Sequence, residues 1–410
     1  MPEIEITTDA DEMGMDPARL DRITQHFDRY VDDGRLAGFV ATVSRGGEVV
    51  YVGSGGMRDK EQGVKMTADT LFRVYSMTKP ITTIAAMALF EQGAFGLNDE
   101  IAPIIGAFEN PRIFTGGTEH APSTVPSQEP IRIWHLMTHT AGLTYGFQYS
   151  HTVDALYRRA GYEFGTPKGA DLAQACADFS ALPLLFEPGS SWNYSVATDV
   201  LGRLIEVITG ESLDVALRRL VLDPLKMDET GFFAPEERHD RMAQLYIPGA
   251  GGEAVPVPEM AAGALRKPTL LSGGGGLVST PYDYRRFTAM LANGGELDGS
   301  RVIGSRTLEY MTRNHLPGGA DLDSLAQDSF SETAYAGVGF GLGFAVVFDA
   351  TPGRVPTSEG SFSWGGAAST VFWVDPAEAI EVSFFTQLLP SSTYPIRPQL
   401  SQLVYSAIVD

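Results

Sequence analysis

The sequence predicts an α+β chain whose two ends build one layer and whose middle is a helical insertion. Three observations predict it. A helix pattern and a hairpin pattern open the chain; strand patterns and a closing helix fill roughly its last 75 residues; the stretch between mixes helical periodicity with Gly- and Pro-rich loops.

From Asp16 to about Val31 the apolar residues Leu20, Ile23, Phe27 and Tyr30 recur at helical spacing, with Asp16-Pro17 as N-cap and first-turn pair. Phe39–Ser44 and Val49–Val52 are β-prone runs on either side of Arg45-Gly46-Gly47-Glu48, which predicts a hairpin. Leu71-Phe72-Arg73-Val74 leads to Ser76-Met77-Thr78-Lys79-Pro80 and then a nearly all-apolar segment to Phe90. Pro80 lacks an N–H and belongs in a first turn, so this helix starts close to Ser76. Being apolar all round, it is expected to be buried. Ala197–Ile208, ended by Thr209-Gly210, and Tyr282–Leu291, ended by Asn293-Gly294-Gly295, are the clearest helices of the middle. Gly339–Val347, Ser369–Val374 and Ile380–Phe385 read as strands, and Arg397–Ile408 as the last helix. The alternation Gly337, Gly339, Gly341, Gly343 is expected on one face of a strand, where another backbone approaches closely.

Length and charge narrow the function. The 410 residues are 43% hydrophobic and 20% charged, enough for one large or two moderate domains. With 51 acidic against 30 basic residues the net charge is −21, a field that repels nucleic acid and anionic membrane surfaces. Cys176 is the single cysteine, so neither an intrachain disulfide nor a zinc site of several thiolates can form. The opening MPEIEITTDADEMG has no basic or apolar signal region, and no apolar run approaches the ~18 residues of a membrane span. The expectation is a soluble cytoplasmic protein; the oligomeric state is left open.

Three motifs carry chemistry. In Ser76-x-x-Lys79 the two side chains fall on one helix face, so the lysine amine can reach the serine hydroxyl and, desolvated, act as its base. A serine at a buried helix start also has N–H groups aimed at developing negative charge. The plainer alternative is an N-cap serine before a surface lysine, which the apolar helix argues against. Of six lysines, only Lys79 has a serine three positions before it. Second, Tyr194 lies in the turn-rich loop Glu187–Val196 that runs into the helix at Ala197, where a phenol could relay protons or simply be a buried, satisfied tyrosine. Third, Trp364-Gly365-Gly366-Ala367 leads into a strand, where two glycines admit a substrate beside the backbone or make an ordinary turn.

In this order and at these separations the three motifs resemble the serine β-lactamase and penicillin-binding-protein superfamily, and are most similar to its class C β-lactamase-like carboxylesterases, the family VIII esterases. The likeness covers about residues 15 to 405 and includes Leu71–Lys79, His135-Leu136-Met137-Thr138-His139-Thr140-Ala141-Gly142-Leu143 and Gly273–Thr280. It implies a serine β-lactamase/D,D-peptidase-like fold: an antiparallel sheet flanked by the N- and C-terminal helices (1–75 and 330–410), a mainly helical second domain (76–329), and the active site between them. It implies Ser76 as acylated nucleophile, Lys79 and Tyr194 as proton-transfer pair, and the Ser76 and Ala367 N–H groups as oxyanion hole. Tyr145, Trp364, Gly365 and Gly366 would bind substrate, a small-molecule ester. No cofactor and no metal are expected.

The departures point to esters. Trp364-Gly365-Gly366 stands where β-lactamases and D,D-peptidases have Lys-Thr-Gly or Lys-Ser-Gly, removing a charge that holds a substrate carboxylate. Tyr194-Ser195-Val196 replaces Tyr-x-Asn, removing an amide donor to a β-lactam side chain. His135 and His139 have metal-pair spacing without the glutamate of H-E-x-x-H and are expected to be structural. No complete G-x-S-x-G and no P-loop is present. The expected activity is hydrolysis of small neutral carboxylic esters. An acyltransferase, a β-lactamase or D-peptidase-type amide hydrolase, and a non-catalytic binding protein are the alternatives.

Overall fold

The computed structural model describes residues 4–326 and 335–410. Helix α1 (Pro17–Asp32) starts where Asp16 accepts hydrogen bonds from the Ala18 and Arg19 N–H groups at 2.9 and 3.2 Å. Strands β1 (Gly38–Arg45) and β2 (Glu48–Asp59) form the predicted hairpin. Gly46 and Gly47, at φ 60° and 87°, supply the two left-handed positions such a turn demands. Short β3 (Val64–Lys65) follows, then a 3₁₀ turn, Tyr75–Met77, feeding α2 (Thr78–Glu91). Every residue of α2 from Thr78 to Leu89 is buried, as its all-round apolarity requires. Helices α3 (Ala197–Thr209) and α4 (Pro281–Ala292) stop at Gly210 and Asn293.

The C-terminal part supplies β4 (Val338–Phe340), β5 (Ala345–Val347), β6 (Phe362–Gly366), β7 (Thr370–Asp375), β8 (Ile380–Phe385) and α5 (Ile396–Ser406). One antiparallel sheet runs β4-β5-β6-β7-β8-β1-β2-β3. The two ends of the chain meet in its middle, where β1 pairs with β8 from Val40↔Phe385 to Arg45↔Ile380.

Both faces of the sheet are covered. Phe39, Trp373 and Phe384 pack with Leu20 and Phe27 of α1 and Leu400 of α5. Residues one step along, Val40, Phe372 and Phe385, point the other way into the larger core shared with α2, α3 and α4. Tyr284 of α4 lies 5.3 Å from the Phe372 ring and donates to the Met77 carbonyl at 2.9 Å, so the sheet and the Ser76 turn are braced by one side chain.

Some expectations need correction. Residues 339–347 are not one strand: β4 and β5 are the arms of a hairpin turning through 341–344, with Gly343 at φ 90°. Only Gly339 of the four alternating glycines lies in a strand, so they share no face, although close approach is real at Gly341, against the Met311 carbonyl, and at Gly339, against Asn314. Trp364-Gly365-Gly366 ends strand β6, and the turn falls at 367–369. The middle of the chain also carries two-stranded ribbons, Arg112–Thr118 with Ala121–Pro126 and Tyr246–Pro248 with Ala254–Pro256. The expected boundary at 329/330 lies outside the described residues. Among the described residues no helix is long and apolar enough to cross a membrane.

Candidate active site

Ser76 sits in the 3₁₀ turn between the short strand Phe72–Arg73 and α2. The residue before it, Tyr75, has φ 43°, a conformation that costs a non-glycine residue on the order of 1–2 kcal/mol. Neighbouring bonds hold it: Val74 N–H to Leu277 O at 3.1 Å and Met77 N–H to Val74 O at 3.0 Å. Ser76 is left half-buried at the head of a buried helix.

One turn on, Lys79 is 2% exposed. Its Nζ donates to Ser76 Oγ at 3.3 Å, Tyr145 Oη at 3.0 Å and the Gly274 carbonyl at 2.6 Å. The Tyr194 hydroxyl donates to Ser76 Oγ at 2.5 Å, and Lys79 Nζ lies 4.5 Å from the Tyr194 ring centroid. The structure therefore brings Ser76, Lys79, Tyr194 and Tyr145 into one cluster. Tyr145, expected only to line the pocket, touches the lysine itself; burial, then Asp199 and Tyr194, push its phenol well above the ordinary value, so it remains protonated.

The wall opposite α2 is the segment 272–277. Thr82 Oγ1 donates to Gly273 O at 2.8 Å, and Leu277 N–H donates to Thr78 Oγ1 at 3.1 Å. A Cβ at Gly274 would come 2.8 Å from Asp199 Oδ2 and 3.0 Å from Tyr145 Oη, so a side chain is excluded there. Asp199, on the first turn of α3, accepts from Ser272 Oγ at 2.6 Å and Gly274 N–H at 3.0 Å. Burial raises its carboxyl, and the Ser272 hydroxyl, the Lys79 charge and the Gly274 N–H oppose that rise. Sequence reasoning missed this residue: an aspartate in a first helical turn is commonplace, and its partners lie over 70 positions away.

The other side is β6. Trp364, 6% exposed, lies 5.5 Å from the Tyr194 ring and 5.2 Å from Phe340, and its indole N–H has no acceptor among the described residues. It forms the wall behind Tyr194. Gly365 turns its Cα face to Arg397 of α5, and Gly366 turns its own to the Val74 carbonyl beside Ser76. Ala367 follows in the turn. Neither the Ser76 nor the Ala367 N–H has a backbone acceptor among the described residues.

His135 and His139 are each buried and held by local contacts. His139 contacts Ser195 Oγ at 3.1 Å and packs on the Tyr194 ring at 4.9 Å; burial and then Lys79 hold it well below its usual pKa. His135 Nδ1 accepts from the Arg132 N–H at 3.0 Å, and burial followed by Arg132 lowers it to about 4. Among the described residues no three ligating side chains gather to hold a metal.

A serine and a lysine one turn apart at the head of a buried helix, beside the end of an antiparallel sheet, define the serine β-lactamase/penicillin-binding-protein fold class. The sequence model of the beta-lactamase family matches residues 23–405, and the chain belongs to that family. It is 34% identical over 363 residues to Protein Rv1367c of Mycobacterium tuberculosis, covering 88% of each chain. It is 33% identical over 386 residues to Esterase EstB of Burkholderia gladioli, covering 90% of each. The solved structure of EstCE1, a hydrolase with promiscuous acyltransferase activity, superposes with TM-score 0.80 at 29% identity, over 98% of this chain and 100% of that one.

Proposed function

We propose that the protein is a serine carboxylesterase that cleaves small neutral esters through an acyl-enzyme on Ser76. The observation that carries this reading is the 2.5 Å Tyr194 Oη–Ser76 Oγ bond beside a Lys79 ammonium at 3.3 Å. Both neighbours donate to Ser76 Oγ in the resting geometry, so attack requires one of them in its deprotonated form to take the serine proton. The alkoxide then adds to the ester carbonyl, and the Ser76 and Ala367 N–H groups stabilise the oxyanion. As the tetrahedral intermediate collapses, the proton held by Tyr194 and Lys79 passes to the departing alcohol. Water, activated by the same pair, frees the acid and restores Ser76. Gly366 borders the carbonyl side of the pocket beside Ser76 and Tyr145 the lysine side, while Trp364 supports Tyr194 from behind and Gly365 faces Arg397. In this reading the site lies between a sheet domain (1–75 and 330–410) and a mainly helical one (76–329).

The likeness to EstB supports the esterase reading, as does the absence of a lysine at 364 to hold an anionic substrate. EstCE1 adds a second reading on the same intermediate, in which an alcohol or amine acceptor replaces water. Cytoplasmic residence belongs to this proposal too; a single, buried, free Cys176 needs no oxidising compartment. The deciding experiment is turnover of a p-nitrophenyl ester series beside a chromogenic cephalosporin, with and without an alcohol acceptor. Fast cephalosporin and slow ester turnover would overturn it.

A further inference from the structure

A row of aromatic rings leads from the lysine to the surface. Tyr145, whose hydroxyl oxygen lies 3.0 Å from Lys79 Nζ, stacks on Phe147 with centroids 4.7 Å apart and planes 20° apart. Phe147 stacks in turn on Phe164 at 6.1 Å and 10°. Phe164 is 71% exposed and Phe147 half-buried, so the row opens to water at its outer end while its inner end touches the catalytic cluster.

The loops that carry the row are held in place. Buried Asp154 accepts from Thr144 Oγ1 at 2.7 Å and from the Ser150 and His151 N–H groups at 2.9 Å each. Arg158 donates to the Gly146 carbonyl at 2.6 Å. Gly146 also lies so close to the Tyr162 carbonyl that a Cβ has no room, which clamps the Tyr145–Phe147 loop to the segment bearing Phe164. A phenylalanine presented this openly gains little from the fold beyond its stack on Phe147, because most of its apolar surface stays in water. An exposed apolar patch continuous with a site marks a place where a ligand's apolar surface is removed from water.

We infer that Tyr145, Phe147 and Phe164 form an extended subsite for esters carrying an aryl group several bonds from the scissile carbonyl. The inference rests on the proposed esterase activity and adds the substrate class. Parallel rings with an open end accept a further ring by offset stacking or edge contact. Tyr145, Phe147 and Phe164 themselves carry no charge, and the one ammonium in contact with the row, Lys79, meets only its inner end, so selection along the row acts on apolar surface rather than on charge.

The test compares 4-phenylbutyl acetate with butyl acetate, and ethyl 5-phenylpentanoate with ethyl pentanoate. Within each pair the reacting ester is the same and only the remote ring differs. The natural enzyme is expected to favour the phenyl member of one pair in kcat/KM; which pair shows whether the row takes the alcohol or the acyl side. In Phe164→Ala and in Phe147→Ala that preference should fall about tenfold, the size expected for one lost aromatic contact with its buried area. Phe164 is exposed enough that its truncation leaves the core intact. An unchanged phenyl-to-alkyl ratio in both variants, or no phenyl preference in the natural enzyme, overturns the subsite while leaving the esterase reading standing. If no ester of either pair is hydrolysed, the esterase reading itself falls.

Discussion

Replacing Tyr194 by Phe removes one oxygen from the centre of the site and little else. The ring keeps its packing against His139 at 4.9 Å, Tyr145 at 5.3 Å and Trp364 at 5.5 Å, and keeps Lys79 over its face. What disappears is the 2.5 Å bond to Ser76 Oγ and, in the proposed mechanism, the hydroxyl that passes the proton to the leaving alcohol. A positioned proton-transfer group contributes about 10²–10⁴ in rate, or roughly 2.7–5.4 kcal/mol of barrier. Losing the bond to Ser76 costs the fold about 1 kcal/mol, which in a chain of this size moves Tm by about 3 °C. Turnover of p-nitrophenyl butyrate and a thermal melt, run on the same preparation, separate the two effects. If the two groups move one proton between them, as proposed, adding Lys79→Ala should cost far less than the product of the single losses. A rate loss under about tenfold, or fully multiplicative losses in the double variant, would refute the shared-proton arrangement.

Other outcomes follow from the same geometry. A fluorophosphonate should label the peptide containing Ser76, and Ser76→Ala should abolish both labelling and ester turnover; mass mapping of the label checks it. Asp199→Asn keeps an oxygen for Ser272 and Gly274 but removes the charge felt by Lys79, so kcat/KM should fall about tenfold and the pH–rate profile move toward lower pH. An unshifted profile would make Asp199 merely structural. His135 must be neutral in the fold, with its pKa held near 4, whereas the unfolded chain binds its proton from about pH 6.5 downward. Stability is therefore full above pH 6.5 and falls by up to about 3 kcal/mol as pH drops to 4. His135→Asn, whose Oδ1 can replace Nδ1 as acceptor, should flatten that slope in urea melts. Trp364→Ala opens a cavity behind Tyr194 and should cost about 3–5 kcal/mol, read as a lower urea midpoint.

Signals that were legible in the sequence are those that one segment carries by itself. Asp16-Pro17 with the spacing of Leu20, Ile23, Phe27 and Tyr30 defines α1, and Gly46-Gly47 defines its hairpin, because caps and left-handed turns are set locally. Ser76-x-x-Lys79 is legible for the same reason: both residues ride on one helical turn. The ribbon Arg112–Thr118 with Ala121–Pro126 was invisible because it is mostly exposed and shows no apolar alternation. The hairpin of β4 and β5 reads in the sequence as one strand because glycines fill its turn without breaking the apolar pattern. The role of Asp199 depends on Ser272 and Gly274, a pairing that only the packed fold creates.

The pairing of β1 with β8 sets a timetable for the chain's birth. Val40 leaves the ribosome with one edge of its strand open, and its partner Phe385 is made some 340 residues later. At about 5–20 residues per second that interval is roughly 20 to 70 s. Throughout it β1 and β2 present an unpaired, apolar strand edge, the kind of surface that recruits chaperones or other nascent chains. Ser76 emerges early too, but β6, whose last glycine lies against the Val74 carbonyl beside it, arrives only near the end of synthesis. Ser76 stays without its sheet-side wall until nearly the whole polypeptide exists, so a stalled or truncated chain carries the serine and lysine but not the finished pocket around them.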